Sequence, residues 1–145
     1  MQMNTIHIFT DGACRGNPGN GGWGVLFIQD GKETYLHGGE INTTNNRMEL
    51  MAAIKALESL SDNSEVILTT DSEYVRKGIT LWLDNWKKKN WKTSNNKPVK
   101  NQDLWQLLDV LSKQHKIKWK WVKGHSGHRE NDIADDLANK GIDQL

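Results

Sequence analysis

The chain has 145 residues, 36% hydrophobic and 26% charged, with a formal net charge of +1. That is the size of one domain, residues 1–145, with one core, and no apolar run approaches the ~20 residues of a membrane span. The single cysteine, Cys14, excludes an internal disulfide and fits a reducing compartment.

The start, Met1-Gln2-Met3-Asn4, has neither the basic nor the apolar part of a signal segment, so a cytoplasmic protein without a membrane partner is expected. Residues 5–10 read as a strand that closes at Asp11. A glycine-rich loop is expected over 12–22, then a strand over 23–28. Asp30-Gly31 is a hairpin signal, with the partner strand over 33–39. A helix follows, with Asn46 as its N-cap, Glu49 three residues on, and Leu50, Ile54 and Leu57 as its apolar stripe. Residues 65–70 form a buried strand closing at Asp71. Asp71-Ser72 can cap a helix carrying Tyr74 and Val75, Gly78 marks its end, and 81–86 forms a short further helix. Leu104, Leu107, Leu108 and Leu111 recur at helical spacing, residues 117–121 alternate as a half-solvated strand, and a last helix starts near His128. This order predicts a mixed sheet with helices packed on it.

Asp11, Glu49, Asp71 and Asp135 sit where carboxylates do little for folding. Each alone has an ordinary explanation: turn chemistry for Asp11, a capping box for Glu49, a helix cap for Asp71, a solvated face for Asp135 beside Asp132 and Asp136. Together they mean something else. If the strands ending at Asp11 and Asp71 are parallel neighbours, their carboxylates lie side by side at the edge where open α/β sheets hold ligands. Four converging acids demand cations, and Mg²⁺ is the natural guest. Such sites hydrolyse phosphodiesters.

Charge is also unevenly spread. Lys87, Lys88, Lys89, Lys92, Lys97 and Lys100 follow Trp86 with no acid among them, and Trp82, Trp86 and Trp91 interleave with these lysines. The chain has seven Trp against two Tyr and two Phe. A cationic, aromatic segment suits a nucleic-acid backbone; the alternative is a solvated loop whose tryptophans serve the core. The glycine-rich segment lacks the nucleotide-loop and dinucleotide spacings, yet its amides, with Arg15 and Asn17, can meet a phosphate backbone. His125, flanked by Gly124 and Gly127, is suited to moving a proton near neutral pH. A zinc site from His115, His125, His128 and Cys14 matches no standard spacing.

The stretches Phe9-Thr10-Asp11-Gly12, Gly16-Asn17-Pro18-Gly19, Thr43-Thr44-Asn45-Asn46-Arg47-Met48-Glu49-Leu50, Thr70-Asp71-Ser72, Trp86-Lys87-Lys88, Lys97-Pro98-Val99-Lys100-Asn101, Trp121-Val122-Lys123-Gly124-His125 and Asp135-Asp136-Leu137-Ala138 carry a further reading. In their order and spacing the chain resembles bacterial type 1 ribonuclease H over nearly its whole length. The resemblance implies an α/β fold: a five-stranded mixed sheet, antiparallel meander plus parallel strands, with helices on both faces. It implies endonucleolytic cleavage of the RNA strand of RNA–DNA hybrids, leaving 5′-phosphate and 3′-hydroxyl ends, by a monomer using two Mg²⁺ ions, with Mn²⁺ as a substitute. Asp11, Glu49, Asp71 and Asp135 fall on the family's metal-binding acids and His125 on its loop histidine. Cys14, Asn17, Asn45 and Asn46 match positions near the hybrid's sugars and backbone; Thr44, Trp82 and Asn101 match positions on the DNA strand. The segment from Trp82 through Trp86, Lys87, Lys88, Lys89 and Lys97 to Lys100 matches the basic protrusion. Three departures stand out. Glu73 replaces a glutamine common in the family, which is expected to weaken substrate or shift metal affinity. The chain also reaches Leu145 soon after the last helix, where many relatives continue, which is expected to touch stability and not chemistry. No separate hybrid-binding domain precedes Asp11, so tight processive binding is not expected.

Overall fold

The computed structural model describes residues 5–61, 63–123 and 128–145. Its strands are β1 (Ile6–Gly16), β2 (Gly19–Gln29), β3 (Lys32–Thr43), β4 (Glu65–Thr70) and β5 (Lys116–Trp121). They form one sheet in the order β3-β2-β1-β4-β5. The first three make an antiparallel meander, β4 joins β1 in parallel, and β5 joins β4 in parallel. The helices are α1 (Asn45–Glu58), α2 (Glu73–Lys77), α3 (Leu83–Lys88), α4 (Gln102–Lys113) and α5 (Arg129–Asp143). This is the expected mixed sheet. The Asp30-Gly31 turn is also as expected, with φ of 53° and 77°, the pair of positive values that a tight two-residue hairpin needs.

Successive strand residues face opposite sides, and two glycines show which helix lies on which. Gly12 and Trp23 are register partners, as are Asp11 and Gly24. A Cβ on Gly12 would stand 2.5 Å from the Glu49 backbone N, so that face carries α1. A Cβ on Gly24 would stand 2.4 Å from the Ala134 carbonyl, so the reverse face carries α5. The main core lies on the α1 side, where Ile8, Val25, Leu50, Ile54, Leu68 and Leu108 are buried around Trp105.

Three local expectations are corrected. The first strand does not end at Asp11: β1 and β2 run on through residues 12–22 and turn at Asn17-Pro18. Gly12, Gly21 and Gly22, which look like loop residues, are spacers that let helices approach the sheet. Helix α1 is capped by Thr44, not Asn46; its side chain accepts from the Arg47 N–H at 3.2 Å. Glu49 therefore lies too far along to close a capping box. Ser72, not Asp71, caps α2, accepting from the Val75 N–H at 3.1 Å. Gly78 directly follows the last residue of α2, as expected, yet the chain does not turn away there. The chain passes through a π-helical turn, Gly78–Trp82, into α3. A Cβ on Gly78 would fall 1.9 Å from the Trp105 ring, so glycine is there for packing. On α4, Leu104, Leu108 and Leu111 are buried while Leu107 is 38% exposed.

Candidate metal centre and nucleic-acid interface

The register of β1 against β4 builds the centre of the site. Thr10 is paired with Thr70, so the next residues, Asp11 and Asp71, emerge side by side as the strands part. Helix α1 brings Glu49 over Gly12, where no side chain intervenes. Asp11, Glu49 and Asp71 each offer a carboxylate oxygen within 4.8 Å of the others. Glu49 is only 6% exposed and accepts from the Gly12 N–H, which also lies 2.9 Å from Asp11 Oδ1. Asp135, from α5, lines the same cleft of about 400 Å³, with Asn45, Asn46, Glu73 and Tyr74. Three of the sequence-predicted acids thus form a tight group, and the fourth stands at its rim.

These carboxylates cannot all ionise unaided. Asp11 is raised far above the ordinary carboxylate range, first by burial, then by the charges of Glu49 and Asp71, a hydrogen bond with Glu49, and the charge of Asp135. Burial also raises Glu49, with Asp71 adding; hydrogen bonds from Asp11, Gly12 and Ser72 partly offset this. The Asp11–Glu49 pair therefore retains a proton where a cation would otherwise balance the charge. An all-oxygen set of this charge suits hard divalent ions such as Mg²⁺.

The substrate candidates gather around the N-terminus of α1. Asn17 Oδ1 accepts from the Asn45 N–H at 3.2 Å, tying the β1–β2 turn to the helix. Cys14 lies at the same end of the hairpin, its thiol 2.7 Å from the Gly16 carbonyl. Asn101 is left-handed, with φ of 58°, and is held from two sides: Arg47 donates to its Oδ1 at 3.1 Å and its Nδ2 donates to the Tyr74 hydroxyl at 3.1 Å. Arg47 also forks onto Asp103 at 3.2 Å. Sequence reading assigned Arg47 and Tyr74 no role, although they fix Asn101 near Thr44. Arg47 lies inside a quoted stretch, but nothing local shows that a helix residue reaches a loop 54 positions away.

The basic segment divides into two kinds of residue. Trp86 and Trp91 pack against the core, and Trp86 stands 5.4 Å from Trp105. Lys87 is held by Asp109 at 2.8 Å. Lys88, Lys89, Lys92, Lys97 and Lys100 are exposed, without an ion pair among the described residues. Backbone hydrogen bonds shape the segment; Thr93 N–H donates to the Lys97 carbonyl at 2.7 Å and Val99 N–H to Trp91 at 3.1 Å. Trp82 is half-buried against Tyr74 and Trp86. Glu73 lines the acidic cleft with its side chain 79% exposed, 4.0 Å from Lys77. His125 lies outside the described residues. Of the zinc candidates, His115 is buried at the start of β5, where its Nδ1 accepts from the Ser64 N–H at 3.2 Å.

Comparison with known proteins gives the same picture. Residues 3–143 match the RNase H family model. The Ribonuclease H of Halorhodospira halophila is 60% identical over 144 residues, covering 99% of this chain and 97% of that protein. That of Alcanivorax borkumensis is 61% identical over 143 residues, covering 99% and 95%. Among solved structures, LC9-RNase H1, a type 1 RNase H with the type 2 active-site motif, superposes with a TM-score of 0.87 at 30% identity, over 99% of this chain and 74% of that one. LC11-RNase H1, solved in complex with an RNA/DNA hybrid, superposes with a TM-score of 0.71 at 26% identity over 96% and 97%. A sheet whose parallel strands set two aspartates beside a helix-borne glutamate, matched along almost all its length to these relatives, belongs to the RNase H family.

Proposed function

We propose that residues 1–145 are a single catalytic domain, an endoribonuclease that hydrolyses the RNA strand of RNA–DNA hybrids and leaves 5′-phosphate and 3′-hydroxyl ends. The observation that carries this reading is the group Asp11, Glu49 and Asp71, whose carboxylate oxygens lie within 4.8 Å of one another. Asp11, Glu49, Asp71 and Asp135 would hold two Mg²⁺ ions, with Mn²⁺ as a substitute. Bound there, the ions supply an activated water and stabilise the leaving 3′ oxygen.

The protein's own residues do the rest. Glu49 is buried and fixed by Gly12, so the cleft is organised before substrate arrives. Asn45, Asn46, Asn17 and Cys14 bind the hybrid's sugars and backbone beside the cleft, where contacts to 2′-hydroxyls separate RNA from DNA, and Thr44 and Asn101 bind a phosphate of the DNA strand. Lys88, Lys89, Lys92, Lys97 and Lys100, with Trp82, engage the DNA strand's phosphates. Lys87 and Trp86 support that surface from within. His125 moves a proton or assists product release. The chain acts as a cytoplasmic monomer.

Labelled RNA–DNA hybrid, RNA–RNA and DNA–DNA duplexes, incubated with the protein with and without Mg²⁺, provide the test. Internal cuts in the hybrid's RNA strand alone, dependent on Mg²⁺ and ending in 5′-phosphates, are expected. Equal cutting of all three duplexes, or undiminished cutting in chelator, overturns the reading.

A further inference from the structure

Among the described residues helix α5 packs on β1, β2 and β3 and makes no comparable contact with β4 or β5. The parallel register shows what the sheet carries there. Asp11 opposes Gly24 on the α5 side, so Phe9 and His7, two and four residues earlier, share that side. Their partners on β4 are Ile67 and Thr69, and the partners of those on β5 are Lys118 and Lys120. Lys116 precedes them by one more step, opposite Glu65. The alternation read from sequence as a half-solvated strand is therefore a row of lysines about 6.8 Å apart on one face, with Ile117, Trp119 and Trp121 packed against the core on the other.

The row borders a groove of about 480 Å³ between the sheet and the start of α5. Phe9 and Ile67 form its floor, Lys118 and Lys120 one wall, and His128 with Glu130 and Asn131 the other. His7, Lys118, Lys120 and His128 are exposed. Neither lysine has an ion-pair partner among the described residues, and Glu130 is the one acid in the lining. The groove is separate from the basic segment, which follows α3. On the catalytic side it shares Val122 with a cleft of about 330 Å³ lined by Thr70, Asp71 and Trp121, and Asp71 in turn lines the candidate catalytic cleft.

We propose that this groove holds a single-stranded tail continuing from the hybrid. The inference rests on the proposed function for its substrate class. Charge complementarity selects a polyanion over an acceptor of cations. The shape selects a single strand: a narrow basic track beside the rings of His7, Phe9 and His128 offers phosphate contacts and stacking surface together, the combination that suits unpaired bases. A paired hybrid presents its bases to no such floor.

The test compares Kd, by fluorescence anisotropy in Ca²⁺, for a blunt hybrid and for the same hybrid with an unpaired RNA or DNA tail. The proteins are wild type and Lys118→Thr/Lys120→Thr, which keeps β-branched residues on the strand. Lys118→Gln/Lys120→Gln serves if the first variant melts early. The tail is expected to tighten wild-type binding by roughly fivefold or more at low salt. The variant is expected to lose that gain, with the slope of log K against log salt falling by about 0.7 per lost contact. Cleavage of the blunt hybrid in Mg²⁺ should be unchanged. A tail that adds nothing, a variant that keeps the gain, or an equal loss on blunt hybrid each overturns the proposal. Failure of the wild type to cut any hybrid is a different result: it defeats the proposed function, and binding of single-stranded oligonucleotide alone then decides the groove.

Discussion

The acidic cleft and the basic segment concentrate like charge in opposite ways. In the cleft, Asp11, Glu49 and Asp71 are packed within 4.8 Å of one another, and backbone register leaves them nowhere to go. In the basic segment, Lys88, Lys89, Lys92, Lys97 and Lys100 stand apart in water, where repulsion is screened. The first arrangement stores electrostatic free energy that a bound cation would release; the second stores little and leaves its charges open to a polyanion. Lys87 belongs to neither, since Asp109 already neutralises it at 2.8 Å.

The sharpest break in this comparison comes from the cleft. Asp11→Asn or Asp71→Asn should lower cleavage by roughly 10³-fold or more, the scale of lost transition-state charge stabilisation, while hybrid binding survives. Substantial Mg²⁺-supported turnover in either folded variant contradicts the metal assignment. His125→Ala should lower kcat by roughly 10²-fold and leave KM and Mg²⁺ affinity nearly unchanged; kcat measured from pH 6 to 9 beside a metal titration decides. Lost metal binding would make His125 a ligand, and an unaltered kcat would make it a bystander.

Lys88→Ala/Lys89→Ala should weaken hybrid binding and reduce the salt slope by about 0.9 per phosphate contact on the B-DNA scale. The effect should appear in KM more than in kcat. An identical slope would return these lysines to a solvated loop. Lys87→Ala should do the reverse: it lowers Tm by about 2–4 °C, as expected for about 1 kcal/mol from a half-buried pair, with less change in slope. A calorimetric scan beside the salt series separates the two.

The last effect is thermodynamic and depends on pH. Asp11 and Glu49 are raised in the folded chain, so the folded state binds more protons than the unfolded one above pH ~4. Metal-free stability should therefore be greatest near the ordinary carboxylate range and fall as pH rises through the raised values. Mg²⁺ should flatten that fall, and Asp11→Asn should raise the metal-free Tm at pH 8 by a few degrees, on the order of 1–2 kcal/mol. A Tm that climbs with pH in chelator would show that the acids are not strained against one another.

Most of the elements and the candidate acids are legible in the sequence alone. Alternation marks β5, the Asp30-Gly31 dipeptide marks its hairpin, and the acids stand out because they close apolar runs. Cap positions and the glycine-rich segment were misread because both depend on what approaches from elsewhere. Gly22 looks like a loop residue until α5 is seen against it, and Gly78 like a plain stop signal until Trp105 is. Only the tertiary structure decided that Thr10 lies opposite Thr70, which places Asp11 beside Asp71. It also decided that Arg47 reaches Asn101, that Asp109 takes Lys87 from the basic segment, and that among the described residues α5 packs on β1, β2 and β3 without comparable contact to β5. Periodicity reports which side of an element is apolar. Which elements meet is set by pairing and packing across the chain, and charge has a function only after that meeting has occurred.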